Sequence, residues 1–235
     1  MYMALGSQPD IAFSVTTLSR YNVQPLEIYA TAAKTVLRYL KTTARFRIHH
    51  RRLPKPITII RYTDSDWAGN LRTQKSVSRC VFGLRNINAN NKLVISGLIH
   101  WQVKSQNVLT LSILEAEYIT CLHATWESLW LRRMMKEVVG EMAVKTSDGP
   151  APIGCNNQGA IKLITLGVIR QKSKHIDVKY HHIHDEQMKG TVKFQYVTSE
   201  SVGIASHRSS MVQVSFVEAC SCILSASMSQ HSFSY

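Results

Sequence analysis

ITIIRYTDSDWAGN, residues 57–70, holds the signal from which the rest of the chain is read. Its first half is β-branched and aromatic, without an internal Pro or Gly, and its near-continuous apolar run suits a strand buried on both faces. Asp64 and Asp66 come at its end, followed by Trp67 and a turn at Ala68-Gly69-Asn70. A carboxylate at the end of a central strand lies where neighbouring elements converge. A lone Asp there more often only ends the strand in an Asx turn. Three later segments argue for the functional reading.

These are LSILEAEY at 111–118, CNNQGAI at 155–161 and KHIDVKYHHI at 174–183, which follow YTDSDWAG at 62–69. In that order the four resemble the RNase H domain of copia-type retrotransposon Pol polyproteins. The family patterns are Y-T/S-D-A-D-W-A-G, S-S-T-E-A-E-Y, C-D-N-Q-S/G-A-I and K-H-I-D-I/V-x-Y/F-H-x-I/V. Any one is weak, whereas four in sequence are specific. A fifth segment, YMALGSQPDIAFSV with VLRYLKTT, resembles the end of the reverse transcriptase that leads into RNase H. The resemblance covers roughly residues 1–205. It implies an α/β fold: an RNase H-like mixed five-stranded sheet, three antiparallel strands and then two more, flanked by helices. In front would stand an N-terminal helical remnant of the reverse transcriptase. The polymerase's own aspartate motif is not in this chain.

Composition agrees with a folded, nucleic-acid-facing protein. The 235 residues are 45% hydrophobic, enough for a core, and carry a net charge of +13, with a pI near 9.7. Such a balance favours a polyanionic partner. Residues 1–56 hold nine Lys and Arg against Asp10 and Glu27, which places +7 in the first quarter. Within it RFRIHHRRLPK, residues 45–55, is either a solvated connector or a phosphate-contacting stripe of Arg45, Arg47, Arg51, Arg52 and Lys55. The cysteines Cys80, Cys121, Cys155, Cys220 and Cys222 form no C-x-x-C pair. We therefore expect a reducing intracellular compartment, cytoplasm or nucleus, and no structural zinc. The start lacks the pattern of a secretory signal, and polar residues interrupt the apolar tail at 211–228, so neither secretion nor a membrane span is expected.

Along the chain, a helix is expected after Pro25 with Ile28, Ala32, Val36 and Leu40 on one apolar line. Strands are expected at 76–82 and 92–101, joined by an Asn-rich turn at 84–91. A helix should run over 111–140, apolar almost all round through Leu114, Tyr118, Cys121, Leu122, Trp126, Leu129 and Trp130, and stop at Gly140. A short strand at 153–155, helices at 157–166 and 176–188, and a strand at 191–197 complete the domain. The expected divisions are a reverse-transcriptase remnant at 1–45, a linker at 46–56, an RNase H-like domain at 57–208 and an unrelated, disordered Ser-rich tail at 209–235.

The resemblance also implies a site. The family hydrolyses the RNA strand of an RNA–DNA hybrid with two Mg²⁺ ions held by four carboxylates. Matched residue by residue, these positions are Asp64, Glu117, Asn156 and Ser206. Helix periodicity leaves Glu115 and Glu117 both open, and the family pattern favours Glu117. Asn156 and Ser206 stand where the family has Asp, so Asp64 and Glu117 are the expected metal ligands, and Mg²⁺ binding is expected to be weak. Asp66 is expected to turn to the opposite face if the strand continues, and Asp177 matches a non-catalytic position. Gln158, Lys174 and His175 join the basic stripe as expected nucleic-acid contacts. His181, His182 and His184 are read as polar surface. Ser78-Arg79-Cys80 replaces a family S-G-Y, so Arg79 takes the place of a glycine. The domain is thus expected to be an inactive or severely impaired nuclease. The alternatives are a non-catalytic nucleic-acid-binding remnant and a fossil open reading frame.

Overall fold

The computed structural model describes residues 2–50, 58–70, 73–87, 93–140, 150–167 and 177–198. The chain divides into two compact units, one containing Met1–His49 and the other His50–Val202.

The first unit is helical: α1 (Tyr2–Gly6), α2 (Ala12–Leu18) and α3 (Glu27–Thr42), with a 3₁₀ turn at Pro9–Ile11 before α2 and another at Ser19–Tyr21 after it. The expected line on α3 is its packed face, since Ala32 and Val36 are buried. Ile11, Ala12 and Phe13 are also buried. Tyr39 Oη donates to Asp10 Oδ2 at 2.8 Å and ties α3 to the turn around Pro9.

The second unit is built on five strands: β1 (Thr58–Asp66), β2 (Val77–Ile87), β3 (Leu93–Ser105), β4 (Ala151–Cys155) and β5 (Val192–Tyr196). Their order is β3-β2-β1-β4-β5. The first three are antiparallel neighbours, whereas β4 pairs parallel with both β1 and β5. This is the mixed RNase H-like sheet, with helices α4 (Ile113–Val139), α5 (Gln158–Leu166) and α6 (Asp177–Met188) packed around it. The expected β1 is central, with Ile59 and Ile60 buried as its composition requires.

The hairpin strands run past their expected limits: β2 extends through Leu84 to Ile87, into the segment expected as an Asn-rich turn. Ladder pairing carries a segment that propensity marks as turn. Helix α4 carries large apolar residues on both its inner and its outer face, as expected. Tyr118, Cys121 and Leu122 are fully buried against the sheet, but Trp126 and Trp130 are exposed. Large residues on the outer face reflect the surface area that every fold leaves apolar. Gly154 serves close packing within the sheet, since a Cβ there would lie 2.7 Å from the Tyr62 ring. Among the described residues, no helix is long and apolar enough to cross a membrane.

Candidate functional site

Three neighbouring strands bring the site together. The antiparallel register sets Asp64 directly opposite Arg79 on β2. On the other side the parallel register pairs Thr63 with Cys155, which brings Asn156, just past β4, level with Asp64. Arg79 Nη2 lies 2.9 Å from Asp64 Oδ2. Asn156 Nδ2 donates to Asp64 Oδ1 at 3.1 Å. Both oxygens of the acid therefore face donors of the chain itself.

Helix α4 supplies the second acid. Ser112 caps the helix, its Oγ accepting the Glu115 amide at 3.2 Å, while Glu115 Oε2 accepts the Leu111 amide at 2.8 Å. These two contacts at the helix start, close to a capping box but with the Leu111 amide in place of that of Ser112, resolve the ambiguity between the two glutamates. Glu115 serves the helix terminus, and Glu117, only 3% exposed, turns toward β1. Glu117 Oε1 accepts the Ser65 amide at 3.2 Å, and its buried Oε2 has no hydrogen-bond partner among the described residues. Burial, followed by the neighbouring Asp64 charge, pushes the Glu117 carboxyl up to about 7, with Ser65 and Arg79 pulling the other way.

A buried polar network fixes α4 against the strands. Gln106 Nε2 lies 2.9 Å from both Ser78 Oγ and the Ala116 carbonyl, and Thr120 Oγ1 donates to Ser78 Oγ at 2.8 Å. Trp67 Nε1 donates to the Thr110 carbonyl at 3.3 Å, and Ser76 Oγ and Thr110 Oγ1 are 2.7 Å apart. These contacts tie the turn after β1 to the segment before α4, and so hold Asp64 near Glu117. Spacing does not reveal this network, because Gln106 and Ser78 meet only across the fold.

Asp66 needs a correction. Strand β1 continues through it, so Asp66 shares the face of Asp64 by alternation instead of opposing it. Its carboxylate folds back over Gly69, where a Cβ would meet Oδ2 at 2.1 Å. The turn, not the strand face, directs it. Gln158 is exposed in the first turn of α5, which Asn157 caps by accepting the Ala160 amide at 2.9 Å. His184 Nδ1 pairs with the Ile164 carbonyl at 2.9 Å, so this histidine joins α6 to α5 instead of facing solvent freely. Arg45 and Arg47 follow α3 in the first unit. Ser206, Arg51, Arg52, Lys55, Lys174, His175 and the tail at 209–235 lie outside the described residues.

The fold and the strand-end acid define an RNase H-like α/β domain. No family profile matches the chain. The chain is 32% identical over 193 residues to the "Retrovirus-related Pol polyprotein from transposon TNT 1-94" of Nicotiana tabacum, an alignment covering 80% of this chain and 13% of the polyprotein. It is also 32% identical over 131 residues to the "Secreted RxLR effector protein 161" of Plasmopara viticola, covering 56% of this chain and 84% of that protein. Among solved structures, an RNase H1 in complex with an RNA/DNA hybrid superposes with a TM-score of 0.38 at 18% identity, covering 61% of this chain and 88% of that one. The chain's homologues are thus copia-type retrotransposon Pol polyproteins, of which it spans only a small part.

The fold family implies a divalent metal. The free Oε2 of Glu117 would suit one, but the rest of the constellation does not. Asp64 is held by a guanidinium and an amide N–H, and Asn156 adds no charge. A hard divalent ion needs oxygen ligands and net negative charge to compete with its hydration. The described residues do not fit the group.

Proposed function

We propose that this chain is a degenerate RNase H domain of a copia-type polyprotein, able to engage nucleic acid but inactive or severely impaired in hydrolysing the RNA of an RNA–DNA hybrid. The observation that carries this reading is the neutralised Asp64, with Arg79 on one oxygen and Asn156 on the other. Nucleophile activation and leaving-group stabilisation in this chemistry are electrostatic. If each missing acid removes about 3 kcal/mol of transition-state stabilisation, each costs roughly 100-fold in rate. The net charge of +13 supports a polyanionic partner, for which an RNA–DNA hybrid is the family precedent. Asp64, Glu117, Asn156 and Ser206 are the proposed site positions. Arg45, Arg47, Arg51, Arg52, Lys55, Gln158, Lys174 and His175 are the proposed nucleic-acid contacts. Buried free thiols at Cys80, Cys121 and Cys155 support a reducing, intracellular setting.

The test pairs cleavage with binding. A labelled hybrid incubated with the purified protein in Mg²⁺ should remain uncut. Cleavage that Asp64→Asn abolishes would show the domain to be an active nuclease and overturn the proposal. Binding to the same hybrid should weaken steeply with salt. Replacing Arg45, Arg47, Arg51, Arg52 and Lys55 by Gln should flatten that dependence. Affinity indifferent to salt would mean that the charge is only a solvated face. Failure to bind any nucleic acid would leave the fossil reading frame as the better account.

A further inference from the structure

Along the sequence Arg79 reads only as a replacement of a family glycine. In the fold it has a defined position. It stands across the β1–β2 ladder from Asp64, with Nη2 2.9 Å from Oδ2, and its side chain is only 14% exposed against 22% for Asp64. Asn156 meets the remaining oxygen. A partly buried ion pair is costly to break from one side only, since the other charge is then left unpaired.

We infer that Arg79 is the resident cation of this site and supplies, in place of a divalent ion, the positive charge that balances Asp64. Any metal approaching Asp64 must displace or sit beside a charge of its own sign. At about 4 Å and an effective dielectric of 20, that repulsion lowers affinity by roughly a thousandfold per unit of ion charge before screening, so a tenfold loss survives heavy discounting for solvent. The loss of acids at positions 156 and 206 is then matched by a gain of positive charge at position 79, and the site is balanced without metal. A repair limited to the acids would leave the metal still opposed by the Arg79 charge.

This inference rests on reading Asp64 as the family's metal-binding position, but it requires nothing about nucleic-acid binding, so the two can fail separately. The test uses the full chain, ¹⁵N-labelled, and Mn²⁺ alone as the probe. Amide signals on β1 around Asp64 should show no site-specific paramagnetic broadening in the unmodified protein at millimolar Mn²⁺. Arg79→Gln, which keeps a long polar side chain on β2, should gain such broadening with an affinity at least about tenfold higher. Adding Asp64→Asn should remove it. Equal Mn²⁺ responses with and without Arg79 would overturn the inference. If Arg79→Gln does not fold, the unmodified chain decides: broadening around Asp64 that Asp64→Asn abolishes would equally overturn it.

Discussion

Glu117 on α4 accepts the Ser65 amide from β1 at 3.2 Å, while its second oxygen is buried without a donor among the described residues. The carboxyl is raised from 4.5 to about 7, chiefly by burial. The folded state therefore holds this proton more tightly than the unfolded chain, and stability falls as pH rises from 4.5 towards 7, then levels off. Glu117→Gln removes the effect and keeps an acceptor for Ser65. Its stability gain over the unmodified protein should be roughly 2 kcal/mol larger at pH 8 than at pH 5. Urea melts at the two pH values check this, and a pH-independent difference would refute it.

Repair of the chemistry should be fullest when three positions are changed. Asn156→Asp with Ser206→Asp should recover more hybrid cleavage in Mg²⁺ than either change alone, each acid contributing up to roughly 100-fold. Because Arg79 still pairs with Asp64 at 2.9 Å, adding Arg79→Gly should raise the rate by about a further tenfold or more. Asp64→Asn should then abolish it. A triple repair that folds but cleaves no faster than the double would argue against the Arg79 block.

Arg61 is the one arginine of β1, only 5% exposed, and its Nη1 donates to the Ile59 carbonyl at 2.9 Å. Burial, with Arg132 and Arg85 nearby, lowers its pKa to about 10. A charged group held in the core with no carboxylate partner among the described residues costs stability throughout the neutral range. Arg61→Met should raise stability by roughly 1–3 kcal/mol, a rise of several degrees in melting temperature for a chain of this size. A lowered melting temperature would mean that the guanidinium is needed where it lies.

Gln106 is 1% exposed and its amide sits among Ser78, Ala116 and Thr120. Gln106→Ala should cost roughly 2 kcal/mol or more, because it leaves buried polar groups without their donor. Ser112→Ala, which removes only the α4 cap, should cost about 1 kcal/mol. If the cap change proves the more costly in thermal melts, the network is not what holds α4 on β2.

Local chemistry made much of this protein legible in one dimension. The β-branched run before Asp64 forms a strand in any context that buries it, the apolar line on α3 packs as spaced, and Gly140 ends α4 at a positive φ of 84°. These features depend on neighbours within a few residues, so period and composition suffice, and the ordered motifs carry the family. The surroundings of Asp64 are not local. Arg79 lies fifteen residues away along the chain and Asn156 ninety-two, and only the strand registers bring both to one carboxylate. Glu115 and Glu117 share a helix turn, and hydrogen bonds at the helix start assign the first to the terminus, leaving the second for the core. The Asp66 carboxylate lies against Gly69, a contact that alternation does not anticipate. Charge acts through space with little regard to sequence distance. An arginine that reads along the chain as a lost glycine therefore becomes, once β2 pairs with β1, the group that neutralises Asp64.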